Sequence, residues 1–240
     1  MRKFGLIGFP LTHSFSESYF RDKFFKEGIN NCQYQNYTIE DVKSITSLVE
    51  KENLSGFNIT IPYKESIICF LDELSTEARA IGAVNTVVRK NEKWIGHNTD
   101  WIGFYESIKP LLQTHHKKAL VLGSGGASKA IVYAFKKLGI ETLIISRKEG
   151  YTNYSEITKN LLIEYLIIVN CTPLGTYPKI DEYPPIAYEI LSKKHLLYDL
   201  IYNPSESRFL TYGKVKEANI KNGLEMLQRQ AEVAWSIWNS

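Results

Sequence analysis

The sequence lacks the marks of several protein classes. Among its 240 residues it has only three cysteines, widely spaced and without a CxxC pair. That number excludes a disulfide framework and a cysteine zinc site, and it predicts reduced thiols in a cytoplasmic protein. The net charge is only +3, which does not favour nucleic-acid binding. The five histidines show no HExxH or comparable ligand spacing, so we expect no metal.

Long apolar runs are also missing. No run approaches the roughly 18 residues of a membrane span, so we expect no membrane partner. The apolar stretch near the start is interrupted by Pro10 and His13, and it is too short for a signal peptide. The sequence has no repeats and no low-complexity tract. What remains is the composition of an ordinary globular protein.

Short apolar segments alternate with helical patterns along the whole chain. In the second half, strands are predicted at residues 119–122, 142–146, 166–170 and 196–200. Buried strands that alternate with helices are typical of βαβ units and a parallel sheet. A second unit is predicted to begin near His115, and the pattern from 223 to 238 predicts a C-terminal helix.

A glycine-rich turn joins the predicted strand at 119–122 to the next helix. Glycines in this context let backbone amides approach a pyrophosphate at a helix N-terminus, so the turn predicts dinucleotide binding. The alternative is a strand–helix turn without a ligand. The turn consists of Gly123, Ser124, Gly125, Gly126, Ala127 and Ser128.

The residues after the next strand bear on which dinucleotide binds. An NAD site usually places an acidic residue there, whereas this chain has Ser146, Arg147 and Lys148. Two cations favour the 2′-phosphate of NADP. The alternative is a solvated strand end with ordinary surface charges.

The first half carries polar residues at the ends of its segments. Asn58 and Thr60 alternate with the apolar residues of a predicted strand, on a face that solvent could also occupy. Lys64 falls at a predicted helix start, where a cation is unfavourable and therefore needs a partner or a function. The alternative is an ordinary solvated surface lysine. Asp100 alone would be interpreted as a helix-capping or first-turn acid.

Eight segments, in order along nearly the whole chain, together resemble shikimate dehydrogenases. They are HSFS (13–16), GFNITIPYK (56–64), GAVNT (82–86), NTDWIG (98–103), GSGGAS (123–128), NCTPLG (170–175), YDLIYNP (198–204) and NGLEML (222–227).

The resemblance implies a fold and a reaction. The family reduces 3-dehydroshikimate to shikimate with NADPH, on the route through chorismate to the aromatic amino acids. We therefore expect two α/β domains, an N-terminal substrate domain and a Rossmann-like NADP-binding domain, with a cleft between them. Residues 1–100, completed by a C-terminal helix at 223–240, would form the first; a connector helix and the Rossmann domain would occupy 101–222. The expected partner is a small-molecule substrate, and the chain would be a monomer or a homodimer.

The resemblance also assigns residues to roles. The substrate contacts would be Ser14, Ser16, Asn58, Thr60, Asn85, Tyr202 and Gln230. The catalytic pair would be Lys64 and Asp100. The cofactor contacts would be Gly123, Ser124, Gly125, Gly126, Ala127, Ser128, Ser146, Arg147, Lys148, Thr172, Leu200 and Gly223.

Two assignments leave alternatives. Periodicity does not separate Gln228 from Gln230, and the family's glycine-to-glutamine spacing favours Gln230. Lys64 could exchange a proton with the substrate or act as a fixed cation beside its oxygen.

The chain also departs from the family pattern. Glu17 stands where proline is frequent, Ser146 replaces asparagine, Asn222 replaces aspartate, and Thr176 stands where methionine is common. Two other functions remain open: a quinate/shikimate dehydrogenase that prefers NAD, and a regulatory module that binds NADPH without catalysis.

Overall fold

The computed structural model describes residues 1–11 and 15–240, so the predicted substrate contact Ser14 lies outside the described residues. The chain divides into two compact units. The first comprises Met1–Thr99 and Gln230–Ser240, and the second comprises Asp100–Arg229. Each unit is built on one sheet with helices, which confirms the α/β class.

The first unit contains a mixed six-stranded sheet in the order β2-β1-β3-β5-β6-β4. The strands β1 and β2 run parallel, as do β1 and β3, whereas β3, β5 and β6 pair antiparallel. The strands are β1 (Arg2–Gly8), β2 (Cys32–Thr38), β3 (Leu54–Ile59), β4 (Glu73–Leu74), β5 (Thr86–Lys90) and β6 (Lys93–His97). The helices are α1 (Phe15–Lys26), α2 (Ile45–Glu52) and α3 (Thr76–Ile81).

The second unit contains a five-stranded, fully parallel sheet in the order β11-β10-β9-β7-β8. Its middle strands are almost entirely buried, as strands covered on both faces must be. The strands are β7 (Lys118–Leu122), β8 (Glu141–Ile145), β9 (Ile167–Asn170), β10 (Leu196–Asp199) and β11 (Asn219–Lys221). The helices are α4 (Asp100–Ile108), α5 (Gly126–Leu138), α6 (Lys159–Glu164) and α7 (Arg208–Val215).

The strand order of the parallel sheet identifies where a ligand fits. The chain passes from β7 outward to β8 and then returns to β9 on the other side of β7. The order therefore reverses between β7 and β9. In open α/β sheets, ligands bind outside the carboxyl ends of the strands at such a reversal. Gly123 and Cys171 follow these two strands directly.

The last helix, α8 (Leu224–Trp238), supplies core residues to the first unit through its C-terminal part. The Trp238 ring stacks on Phe4 with centroids 4.6 Å apart, and its indole N–H donates to the Val87 carbonyl at 2.9 Å. A Cβ at Gly56 would lie 2.6 Å from this indole, so only glycine permits the contact. Residues 230–240 therefore contribute to the core of the first unit.

Three local predictions were wrong. Lys64 does not start an α-helix; it lies in a turn before a short 3-10 helix at Ser66–Phe70. The sequence pattern from Ile39 to Lys51 predicts a helix over that range, but the helix begins only at Ile45, after a 3-10 turn capped by the Asp41 side chain. Ile61 lies beyond the end of β3 and is 71% exposed, although the alternation predicted it on the apolar face of the strand.

Across 1–11 and 15–240, no helix is both long enough and apolar enough to cross a membrane. Within the same residues, no three histidine, cysteine, aspartate or glutamate side chains are grouped so that they could hold a metal ion.

Candidate active site

The first unit encloses a network of uncharged polar side chains where β3 meets β5. Asn58 is 5% exposed, so the face that could have been solvated is in fact buried. The Asn58 amide donates to the Thr86 hydroxyl at 3.0 Å and to the Asn85 carbonyl at 3.1 Å. Its amide oxygen accepts from the Tyr34 hydroxyl at 2.9 Å. Both ends of this side chain are therefore oriented by fixed partners.

The network continues through Asn85. Its side-chain oxygen accepts from the backbone N–H of Thr99 at 2.6 Å, and its amide donates to the Thr99 hydroxyl at 2.9 Å. Gln230 of α8 is buried, and its side-chain oxygen accepts from Asn85 and from Thr99, each at 3.3 Å. Gln228 is exposed. The structure thus brings Asn58, Asn85 and Gln230 together in one connected cluster.

Ser16 adjoins the same cluster from α1. It is buried and forms a hydrogen bond with the Tyr34 phenol. Burial raises the pKa of Tyr34 well above its usual value, so the phenol stays protonated and remains a donor to Asn58. Thr60 is half-buried, one residue beyond the end of β3, and its methyl group lies over Gly8.

The turn at Lys64 is fixed by its backbone. The Lys64 carbonyl accepts from the Val84 N–H at 2.7 Å, and the adjacent Tyr63 hydroxyl donates to the Ile39 carbonyl at 2.6 Å. Lys64 is half-buried, and its partner Val84 directly precedes Asn85 in the chain. This bond places the Lys64 backbone against the residue that precedes Asn85 of the uncharged network.

Asp100 is the first residue of α4 and follows Thr99 directly. It is 6% exposed. A carboxylate at this position interacts favourably with the positive end of the helix dipole. Chain connectivity alone places the Asp100 backbone one residue from the Asn85–Thr99 hydrogen bonds.

In the second unit, the glycine-rich turn lies at the strand reversal between β7 and β9. Gly123 has a φ of +111°, and a Cβ there would lie 3.2 Å from the Cys171 carbonyl oxygen, so glycine is required. Gly125 precedes α5 without a side-chain cap, which leaves the first N–H groups of a 13-residue helix directed outward. An anion is the natural partner for such groups.

The remaining predicted cofactor residues surround this turn. The Ser124 and Ser146 hydroxyls are hydrogen-bonded at 2.8 Å, and Ser146 also accepts from the Lys148 backbone N–H at 3.1 Å. Arg147 and Lys148 are exposed at the end of β8. Ala127 and Ser128 lie in the first turn of α5, where the Ser128 hydroxyl donates to the Gly125 carbonyl.

Four further predicted residues follow the strands β9, β10 and β11. A Cβ at Gly123 would lie 3.3 Å from the Thr172 methyl group, so Thr172 borders the glycine-rich turn. Leu200 and Gly223 approach so closely that a Cβ at Gly223 would lie 2.1 Å from the Leu200 carbonyl oxygen. Tyr202 is half-buried, and burial raises the pKa of its phenol.

Sequence reasoning missed three members of the polar network: Tyr34, Thr86 and Thr99. Thr86 and Thr99 were inside recognised motifs, but no role was assigned to them. Tyr34 lies in β2 between two glutamines, and its contact with Asn58 spans 24 positions. Local periodicity contains no information about such a pairing.

Comparison with known proteins gives consistent results. A family described as the shikimate dehydrogenase substrate binding domain matches residues 6–87. The shikimate dehydrogenase (NADP(+)) of Caldanaerobacter subterraneus subsp. tengcongensis is 36% identical over 260 residues, covering 98% of this chain and 90% of that protein.

Solved structures agree over the full length. The crystal structure of shikimate dehydrogenase from Aquifex aeolicus has a TM-score of 0.88 and 34% identity, covering 100% of this chain and 92% of that chain. A shikimate 5-dehydrogenase from Thermus thermophilus, in complex with NADP(H) and shikimate, has a TM-score of 0.87 and 29% identity, covering 99% of this chain and 93% of that one.

Proposed function

The chain belongs to the shikimate dehydrogenase family, and from that premise we propose which of its residues bind the substrate, hold the cofactor and move the proton. It is an NADP-dependent oxidoreductase that interconverts 3-dehydroshikimate and shikimate in aromatic amino acid biosynthesis. The predicted family, fold class, reaction and cofactor are therefore confirmed. The structural observation that carries the proposal is the buried network of Asn58, Asn85 and Gln230.

Uncharged amides and hydroxyls suit a substrate that carries several hydroxyl groups. Each such group can donate and accept, so one cluster can recognise both the hydroxyls and the ketone of a cyclic polyol. The existing hydrogen bonds fix the rotamers of the cluster in advance, which lowers the entropic cost of binding. The proposed substrate contacts are Ser14, Ser16, Asn58, Thr60, Asn85, Tyr202 and Gln230.

Reduction of a ketone needs a hydride at carbon and a proton at oxygen. NADPH supplies the hydride when it is bound. We propose that the Lys64 ammonium donates the proton to the substrate oxygen during reduction and that its amine accepts the proton during oxidation. The carboxylate of Asp100 only accepts hydrogen bonds, and its proposed role is to orient a donor in the reacting complex.

The glycine-rich turn fits the cofactor. Its uncapped helix N-terminus offers N–H donors to a pyrophosphate, and the positive φ of Gly123 allows the backbone to approach closely. Arg147 and Lys148 offer two cations to a 2′-phosphate. The residues that would hold NADP are those of the turn at 123–128 together with Ser146, Arg147, Lys148, Thr172, Leu200 and Gly223.

The substitution Arg147→Gln with Lys148→Gln tests the cofactor assignment. We expect the KM for NADP to rise at least about tenfold, because each charge-assisted hydrogen bond contributes about 1.5–3 kcal/mol. The KM for NAD should change little, since NAD has no 2′-phosphate. Initial rates with shikimate and either cofactor measure both values.

A matched control is available in the same unit. Lys193 and Lys194 are also adjacent and exposed, but they precede β10 at the opposite, amino-terminal edge of the sheet. Replacing both with glutamine removes the same charge and should leave the KM for NADP unchanged. An unaltered KM in the Arg147/Lys148 variant, or an equal rise in the control, would contradict the assignment.

We also propose a cytoplasmic location and a monomer or homodimer. All three cysteines are free thiols, as expected in a reducing compartment.

A further inference from the structure

A buried carboxylate lies at the carboxyl end of β10, the strand between β11 and the central β9 of the parallel sheet. Asp199 has no exposed surface. It accepts hydrogen bonds from the Asn170 amide and from the Ile201 backbone N–H, each at 3.0 Å, and from the Ser207 hydroxyl. Burial raises its pKa to about 6, so an ionised group here carries a desolvation cost. None of the roles proposed above uses this residue.

The first group held by Asp199 is the side-chain amide of Asn170, at the end of β9. A carboxylate can only accept, so it forces Asn170 to turn its NH₂ toward Asp199. The Asn170 oxygen must then face the other way. There it accepts from the Thr172 backbone N–H at 3.0 Å and from the Thr172 hydroxyl at 2.6 Å. Asp199 therefore determines that the oxygen of the Asn170 amide, and not its NH₂, faces Thr172.

Thr172 in turn borders the glycine-rich turn. Its methyl group lies 3.3 Å from where a Gly123 Cβ would be, and the preceding Cys171 carbonyl lies 3.2 Å from the same point. The Asn170 amide also donates to the Leu174 carbonyl at 3.3 Å, and this bond links the two ends of the loop that contains Thr172. The orientation of one buried amide thus sets the wall of the predicted pyrophosphate site.

The second group held by Asp199 is the turn after β10. The N–H of Ile201 donates to Asp199, while the Ile201 carbonyl accepts from the Gly223 N–H at 3.1 Å. The Leu200 N–H donates to the Asn170 carbonyl at 3.0 Å. These bonds hold Leu200 against Gly223 just before α8 begins. Both residues are proposed cofactor contacts.

We propose that Asp199 is a positioning residue for NADP binding, which acts by accepting hydrogen bonds from Asn170 and Ile201 and so fixes Thr172 and Leu200. The inference rests on the cofactor roles proposed for those two residues. The requirement is for acceptors and not for charge. An amide in place of the carboxylate keeps an oxygen for Asn170 and Ile201, and its NH₂ can donate to the Ser207 oxygen.

The test compares two replacements of similar size. Asp199→Asn keeps an acceptor, whereas Asp199→Leu removes every acceptor. We expect Asp199→Leu to raise the Kd for NADPH at least about tenfold, since two hydrogen bonds that fix the site are lost, and Asp199→Asn to stay within about threefold of the wild type. The Kd is read from NADPH fluorescence on titration with protein. The readout is therefore independent of whether the chain turns over shikimate.

Two further variants separate positioning from general stability. Ser207→Ala removes the third donor to Asp199 and the side-chain cap of α7, and leaves the bonds to Asn170 and Ile201 intact. Its melting temperature should fall while its Kd for NADPH stays unchanged. Asn170→Ala removes the side-chain bonds from Asn170 to Asp199, Leu174 and Thr172, and should weaken NADPH binding to a similar degree as Asp199→Leu. If Asp199→Leu does not fold, the Kd of the Asn170→Ala variant for NADPH serves as the test instead.

The proposal fails if Asn170→Ala, or folded Asp199→Leu, binds NADPH as tightly as the wild type. It also fails if Ser207→Ala weakens binding as much as Asp199→Leu, because the effect would then follow stability. An equal loss of NADPH affinity in Asp199→Asn and Asp199→Leu would overturn the claim that hydrogen-bond acceptors at position 199 are what NADP binding requires.

Discussion

The Lys64→Ala variant is expected to bind shikimate and NADP but to lose turnover by roughly 10²–10⁴-fold, the usual contribution of a positioned acid or base. The substitution should leave the fold intact, because the turn is held by the Lys64 carbonyl and by the Tyr63 hydroxyl, both of which the variant keeps. Steady-state kcat, compared with the Kd for shikimate, separates the chemical step from binding.

Lys64→Arg distinguishes the two roles open to this residue. Arginine keeps the positive charge but does not release a proton in proteins, so it can replace a fixed cation and not a proton donor. We expect Lys64→Arg to be impaired as severely as Lys64→Ala. Lys51→Ala removes an exposed lysine from the same unit and should have no effect. Near-normal turnover in Lys64→Ala would contradict the catalytic role, and substantial turnover in Lys64→Arg would support a fixed cation instead.

Asp100→Asn is expected to have the second-largest effect, a loss of at least about 10²-fold in kcat for a residue that orients a reacting group. The change keeps the shape of the side chain and removes its charge. If Asp100 served only as a first-turn acid, the variant would lose about 0.3–1 kcal/mol of stability and keep its turnover. Kinetics and denaturant unfolding of the same preparation tell the two roles apart.

Glu77 provides the comparison for Asp100, since it is the acidic residue in the first turn of α3. Glu77→Gln should show the small loss of stability without a loss of turnover. If Asp100→Asn, like Glu77→Gln, loses a little stability but keeps a normal kcat, then Asp100 has only a structural role.

The sequence predicts the main elements well where periodicity is strong. The strand β7 agrees with its prediction to within a residue, and α5 follows the glycine-rich turn as predicted, because a buried strand and an amphipathic helix both have clear patterns. The C-terminal helix also agrees to within a residue at its start. Short elements such as β4, which has only two residues, carry too little pattern to be detected.

The candidate site is less predictable from local patterns. Alternation placed Asn58 on one face of a strand but could not decide between solvent and core, because that depends on Tyr34, Thr86 and Asn85 from elsewhere in the chain. Gln230 and Gln228 are equally consistent with the helical period. Only the tertiary structure shows that Gln230 meets Asn85 and Thr99. Asp199 lies within a recognised motif, yet its role depends on two neighbouring strands.

The most direct test of the central claim is the shikimate-dependent formation of NADPH by the purified chain, followed by its nicotinamide absorbance, with NADP and NAD run in parallel. We predict rapid NADPH formation that requires shikimate, 3-dehydroshikimate as the product, and a much weaker response with NAD. A folded chain that binds NADPH but oxidises no shikimate with either cofactor would contradict the account.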